Sequence, residues 1–323
     1  MMIKIGIVGL GNVAWNVHLP ILLSREDVGI SWICDKNLEK KSIIEKKKIK
    51  FFSNINEISK FENVDIILLT VPYGERSEIF DKLKNKCSGI FFEKPYALNL
   101  KEHNYFTDCF KSACMTVGYT RRKMGIVQTI KRIIDEKIFG ELISVNIFFG
   151  DIHYKFDSFR SDIKKSGGGI FFEAGTHWID CVLFTSGAKQ ILNFESEKKF
   201  KSGLDIESNG RFELINKTDK KIKCNFKISV LKNTTNKIQY NFNNCSVDLF
   251  LFKDDSNLKI KNKGNFEFLI KDNDTLNFPN DSYSVAYSFW NEFISSFLNK
   301  KESEFTINSF FLTTKITEMF YGK

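Results

Sequence analysis

The chain has 323 residues, 42% of them hydrophobic and 27% charged, enough for two domains with a sizeable core and in keeping with a soluble globular protein. No apolar run is long enough to cross a bilayer, and the first residues enter a strand without a signal-peptide layout, so no membrane partner is expected and the cytoplasm is the expected compartment. The formal net charge of +9 is spread over lysines, some clustered as in Lys46-Lys47-Lys48; no recognition module accompanies them, so a nucleic-acid partner is not expected, although a positive field favours an anionic ligand.

Ile3-Lys4-Ile5-Gly6-Ile7-Val8 alternates into an apolar run and predicts the first strand. It runs into Gly9-Leu10-Gly11-Asn12-Val13-Ala14, a G-x-G-x-x-A turn. There Gly9 permits a tight turn, Gly11 leaves room for a pyrophosphate, and Ala14 lets a helix sit close to the strand. Residues 29–34 read as the second strand, which ends at Asp35. An acid at that point accepts hydrogen bonds from the adenosine ribose hydroxyls and favours NAD, while Lys36 beside it leaves NADP open. The competing reading of Asp35 is a plain turn residue.

Residues 36–47 then read as a polar helix, 50–52 as a short third strand, 54–59 as a helical turn, and 64–70 as a long buried strand ending in Thr70-Val71-Pro72. A helix over 75–85 leads to Gly89-Ile90-Phe91-Phe92-Glu93-Lys94-Pro95. The apolar run suits a strand covered on both faces, and Pro95, without an N–H, ends it. Glu93 and Lys94 are thereby placed at the carboxyl end of a central strand, where open α/β sheets bind ligands; the bland alternative is a structural ion pair. A helix over 100–110 and a strand over 114–119 complete the alternation, which predicts a doubly wound parallel Rossmann sheet over residues 1–120.

The pattern changes after Tyr119. A helix over 124–137 and a strand over 142–150 precede strands at 191–200, 209–215, 221–231, 237–242, 245–252 and 265–270, with helices at 284–298 and 309–321. Alternation such as Lys223-Cys224-Asn225-Phe226-Lys227-Ile228 predicts an α+β domain over 121–323 with an open, mainly antiparallel sheet covered on one face. The terminal helices are candidates to pack back on the first domain. Seven cysteines without a Cys-x-x-Cys pair read as reduced thiols, with neither a disulfide framework nor a metal site.

Between these strands lies Ser166-Gly167-Gly168-Gly169-Ile170-Phe171-Phe172-Glu173-Ala174-Gly175-Thr176-His177-Trp178-Ile179-Asp180. The glycines free the backbone to approach a ligand, and Gly175, costly inside a helix, is read as making space for a cofactor ring or substrate. Glu173 and His177, at i and i+4, share a helical face, with Asp180 near it. A core histidine on a capping helix would account for His177, but not for the whole set.

These motifs together resemble the glucose–fructose oxidoreductase / inositol dehydrogenase (Gfo/Idh/MocA) family. The resemblance is carried by Gly9 through Ala14, Asp35, Thr70-Val71-Pro72, Glu93-Lys94-Pro95, Gly118-Tyr119 with Arg122, and Gly167-Gly168-Gly169 through His177 and Asp180. It implies a Rossmann domain, a second domain that often forms the interface of a homodimer or homotetramer, and hydride transfer between a nicotinamide cofactor and a sugar, cyclitol or nucleotide sugar. The family's Glu-Lys-Pro lysine falls on Lys94 and its helical histidine on His177. Two departures stand out: Glu173 where Asp is common, and Arg76 where a histidine often follows the Thr-x-Pro segment.

Alcohol oxidation needs a base for the hydroxyl proton and positive charge beside the oxygen. His177 suits the first task and Lys94 the second, with Glu173 orienting one of them or a substrate hydroxyl, and Glu93 holding Lys94 or the nicotinamide ribose. Tyr119, Arg122, His153, Tyr154, Arg160 and Asp180 are candidate substrate contacts, Arg160 suiting a carboxylate or phosphate by its bidentate geometry. The amine and the imidazole are expected to converge on one substrate carbon. Alternatives are an NAD-dependent glycoside-cleaving enzyme that works by transient oxidation, and a non-catalytic dinucleotide-binding protein.

Overall fold

The computed structural model describes residues 2–251, 257–262, 267–271 and 282–322. The chain divides into two compact units, Met1–Gly118 with Ala286–Ser309, and Tyr119–Val285 with Phe310–Lys323.

The first unit is built on a parallel sheet of β1 (Ile3–Val8), β2 (Val28–Cys34), β3 (Lys50–Phe52), β4 (Ile66–Leu69), β5 (Gly89–Phe92) and β6 (Cys114–Val117), ordered β3-β2-β1-β4-β5-β6. The order reverses at β1, so β1 and β4 are neighbours and the turn after β1 lies beside the end of β4. All four residues of β5 are buried, as its unbroken apolar run requires. The helix expected over 36–47 begins only at Lys41. Asp35 accepts the Asn37 N–H at 2.7 Å and Asn37 accepts the Glu39 N–H at 3.0 Å, and these side-chain turns displace the helix start. The turn after β3 is a 3-10 helix, Ile55–Lys60, capped by Asn54.

The second unit carries a mixed sheet of β7 (Leu142–Gly150), β8 (Ala188–Lys201), β9 (Leu204–Asn216), β10 (Lys221–Ser229), β11 (Lys237–Phe242), β12 (Cys245–Phe250), β13 (Asn257–Asn262) and β14 (Glu267–Lys271), ordered β14-β13-β12-β11-β7-β10-β9-β8. Among the described residues of this sheet only β7 and β10 pair in parallel. On β10 the residues Ile222, Cys224, Phe226 and Ile228 are buried while their neighbours Lys221, Lys223, Asn225 and Lys227 face out, the one-sided pattern of a half-covered sheet. Helix Thr176–Thr185 lies nearly all buried in this unit. β13 has no counterpart among the expected strands. Only Leu258 and Ile260 are apolar in it, too short an alternation to stand out; pairing of Val247 with Ile260 across to β12 defines it. Phe252, Asn265 and Phe266, which closed or opened expected strands, lie outside the described residues.

All seven cysteines are free thiols, and burial pushes the Cys34 thiol up to about 12. Among the described residues no helix is long and apolar enough to cross a membrane.

Candidate active site

In the first unit the glycine turn is set by its neighbours. Gly9 has φ +92, a left-handed conformation that glycine adopts without strain, and the Thr70 hydroxyl donates to its carbonyl at 2.6 Å. Thr70 thus ties the end of β4 to the turn, and Pro72 follows where the chain turns into a 3-10 segment. Gly11 is exposed, and a Cβ there would meet nothing within 4 Å, so the backbone is open to a close-lying group. Asn12 and Val13 are exposed beside it, and Ala14 is buried at the start of a π-turn, Ala14–His18. Asp35 is half-buried and its carboxylate accepts the N–H groups of Leu10 and Asn37. Lys36 is drawn away to Glu75 at 2.8 Å, whereas Lys40 donates to the Leu10 carbonyl at 2.9 Å and lies over the Trp15 ring. This open, glycine-lined turn beside a helical start and an acid fits a dinucleotide pyrophosphate and ribose.

The Glu93-Lys94-Pro95 turn follows β5 and is gripped from two sides. Glu93 is buried; its Oε1 lies 2.8 Å from His18 Nε2 and its Oε2 accepts the Lys94 N–H at 3.1 Å. A Cβ on Gly118 would sit 2.7 Å from Glu93 Oε1, so a glycine ends β6 where the carboxylate needs the space. Arg76, 2% exposed, donates to the carbonyls of Glu93 at 2.7 Å, Tyr96 at 3.2 Å and Pro95. Arg76, noted in the sequence as a departure from the resembled pattern, is therefore a buried clamp on backbone carbonyls. Of the two roles expected of Glu93, holding Lys94 or the nicotinamide ribose, its contacts match the first: its oxygens are turned onto His18 and the Lys94 amide. Neither His18 nor its partner Trp290 was singled out from the sequence; the available signal was a histidine in the apolar run Val17-His18-Leu19.

In the second unit, Gly167 ends a short helix with φ +81, and the following turn is pinned by Asp205, whose carboxylate accepts the N–H groups of Gly169 and Phe171 at 2.7 Å each. The Tyr321 hydroxyl donates to the same carboxylate at 2.6 Å. The expected role of these glycines as ligand space is overturned. A Cβ at Gly168 would lie 2.3 Å from the Tyr321 hydroxyl, one at Gly169 2.1 Å from the Asp205 carbonyl, and one at Gly175 2.8 Å from Ile228 Cδ1. They are small because protein atoms pack on them. Burial pushes the Asp205 carboxyl up, against the pull of the hydrogen bonds it accepts.

Phe171–Gly175 is a second π-turn, leading directly into helix Thr176–Thr185. Such turns shift the register of the residues around them and are frequent at functional sites. Glu173 and His177 are half-buried. Arg160 Nε donates to Glu173 Oε1 at 3.1 Å, so two expected site residues meet, with Asp157 3.7 Å from the same guanidinium. The Tyr119 ring packs edge-on against His177, centroids 5.6 Å apart. Tyr154 is half-buried and desolvation pushes its phenol well up, while His153 is exposed. Arg122 and Asp180, expected at the substrate, are corrected: they are 2% and 1% exposed and bind each other through two contacts of 2.8 and 2.6 Å. Thr313 donates to Asp180 and the Phe310 ring lies 4.0 Å from the Arg122 guanidinium, so the pair is a buried structural tie. Arg121, which the sequence reading passed over, lies across the Trp178 ring at 5.1 Å. Its Nη1 and the Trp178 Nε1 are both buried without a hydrogen-bond partner among the described residues.

Residues 3–120 match the oxidoreductase family NAD-binding Rossmann fold model of GFO/IDH/MocA, and residues 127–242 match a GFO/IDH/MocA C-terminal domain. The chain belongs to the Gfo/Idh/MocA family of oxidoreductases, and its first unit is an NAD-binding Rossmann domain. It is 25% identical over 215 residues to the D-xylose dehydrogenase of Paenarthrobacter nicotinovorans, a match covering 60% of this chain and 53% of that protein. The chain spans about half the length of the curated relatives it matches. Among solved structures, an aldose–aldose oxidoreductase from Caulobacter crescentus superposes with a TM-score of 0.83 at 14% identity, covering 100% of this chain and 97% of that one. The transcriptional regulator Gal80p from Kluyveromyces lactis has the same fold, with a TM-score of 0.78, 16% identity and coverage of 98% and 91%.

Proposed function

We propose that the protein is a nicotinamide-dependent sugar dehydrogenase or reductase in which Lys94 and His177 carry the reaction. The supporting observation is the Glu93-Lys94-Pro95 turn, held by a buried carboxylate and a buried arginine on the strand neighbouring β4, whose Thr70 anchors the glycine turn. Bound there, NAD or NADP would accept or give the hydride. The Gly9–Ala14 turn and Asp35 hold its pyrophosphate and ribose, and the carboxylate at that position favours NAD.

Lys94 supplies positive charge to the oxygen that gains alkoxide character. His177 takes or returns the hydroxyl proton, with Tyr119 packed against its ring, and Glu173 is anchored by Arg160. A polyhydroxylated substrate, the kind acted on by the xylose dehydrogenase and the aldose oxidoreductase, fits the donors on Arg121 and Trp178 that lack acceptors among the described residues. Assembly as a homodimer or homotetramer is part of the same proposal, and light scattering of the purified chain measures it.

The test is a melting-temperature screen with NAD and NADP, followed by a dehydrogenase assay on aldoses and nucleotide sugars. Lys94→Ala is expected to cut turnover by about 10²–10⁴ while the cofactor still raises the melting temperature. Unchanged turnover in that variant would remove Lys94 from the chemistry. A second reading, a dinucleotide-dependent regulator, is favoured by the likeness to Gal80p; binding of NAD without turnover of any sugar in the screen would select it.

A further inference from the structure

His18 sits in the first unit at 1% exposure, with its two ring nitrogens committed to different partners. The Trp290 indole Nε1 is 3.0 Å from His18 Nδ1, and an indole N–H can only donate. Nδ1 is therefore the bare, accepting nitrogen, and the ring proton is on Nε2, 2.8 Å from Glu93 Oε1. That proton is donated to the carboxylate, and the other carboxylate oxygen accepts the Lys94 N–H at 3.1 Å. Phe91 closes over the imidazole edge-on at 5.2 Å. Glu93 is the one charged group hydrogen-bonded to the ring among the described residues; Arg76 reaches the same turn only through its carbonyls.

We propose that Trp290 and His18 are positioning residues for Lys94, a relay in which the indole fixes the imidazole tautomer and the imidazole fixes the carboxylate that holds the lysine's amide. The proposal rests on the reading that Lys94 takes part in catalysis. The indole thus fixes which ring nitrogen carries the proton, and the carboxylate keeps a single orientation. Arg76 fixes the carbonyls of the same turn, so the lysine leaves the strand from a backbone restrained at both its donors and its acceptors.

Nitrogen-15 NMR of the full-length, histidine-labelled protein reads the tautomer directly. The expected spectrum shows His18 with a bare Nδ1 and a protonated Nε2. Trp290→Phe removes the indole donor, and His18 is then expected to show a mixture of its two tautomers, with turnover lowered. In assays with NAD and the fastest aldose of the screen, His18→Leu is expected to lower kcat by about 10–100-fold, the usual cost of losing a group that orients a reacting one. NAD affinity stays as in the wild type, and His18→Gln, which can still accept from the indole and donate to Glu93, recovers most of the loss. A protonated Nδ1 in the wild-type protein overturns the proposal, as does a His18→Leu variant with full kcat or a Gln variant no better than the Leu one. If His18→Leu does not fold, the spectra of the wild type and Trp290→Phe decide alone. Full activity of Lys94→Ala would instead overturn the underlying catalytic reading, and it leaves the tautomer measurement standing as a separate result.

Discussion

The buried Arg122–Asp180 pair shows how little a charged residue's place in a motif says about its task. Both residues lie in segments that carry the family resemblance, and both are candidates for substrate contact on chemistry alone. Sequence can show that a charge is present, but not that an opposite charge 58 positions away has already claimed it. Here the guanidinium is enclosed by the Phe184 and Phe310 rings and the carboxylate, which also accepts from Thr313. Removing one member of such a pair leaves the other buried without compensation. Asp180→Asn is therefore expected to cost about 3–5 kcal/mol of unfolding free energy, measured by urea denaturation. A loss below about 1 kcal/mol would instead mark the pair as solvated. The same limit explains Glu93 and Arg76. Their presence was visible in the sequence, but the direction in which each turns depends on His18 and on backbone carbonyls contributed by other turns.

At the scale of elements, the parallel strands were legible because a strand covered on both faces must be apolar throughout, as Ile66–Leu69 and Gly89–Phe92 are. The glycine run was legible as a place of close approach, but not as to what approaches. Asp205 and Tyr321, which fill that space, come from the start of β9 and the end of the last helix and bear no local mark. The outer strands of the second sheet carry a different device. On β9, Glu207 accepts from Lys199 at 2.6 Å, Lys232 at 3.0 Å and the Ser229 hydroxyl at 3.2 Å. The hydrogen bond from Lys199 and then that from Lys232 hold its carboxyl down at about 2, below the ordinary 4.5. A carboxyl depressed in the folded state stabilises it above the unfolded value and loses that contribution as the pH falls through the folded one. Glu207→Gln is accordingly expected to be less stable than the wild type near neutrality. Its deficit should shrink as the pH is lowered from 4.5 toward 2. Because both lysines are largely exposed, added salt should shrink the deficit too, and a deficit independent of both pH and salt would assign the effect to packing.

On the scale of the whole chain, the first unit is not closed by its first 118 residues. Residues 286–309 return to it, and what they bring is aromatic. The Phe91 ring at the centre of β5 stacks on Trp290 at 4.5 Å and meets Phe289 and Phe293 edge-on at 5.6 and 5.9 Å. Gly89 has no side chain because the Phe297 ring would lie 2.9 Å from its Cβ. Thr116 on β6 donates to the Phe305 carbonyl. Periodicity alone exposes the helix that carries most of these rings, but not which sheet it covers, since an apolar face is equally satisfied by either. Burying each large aromatic side chain contributes about 1.5–3 kcal/mol, so four of them rival the net stability of about 5–15 kcal/mol that a domain retains. The same segment brings the indole that sets His18, so the fold and the lysine turn depend on it together. A fragment of residues 1–118 is expected to melt without cooperativity and to show no NAD-induced rise in melting temperature. The same fragment joined by a flexible linker to residues 286–309 is expected to melt as one unit that NAD raises. A cooperative, NAD-responsive melt from residues 1–118 alone would show that the returning segment decorates a core already complete without it.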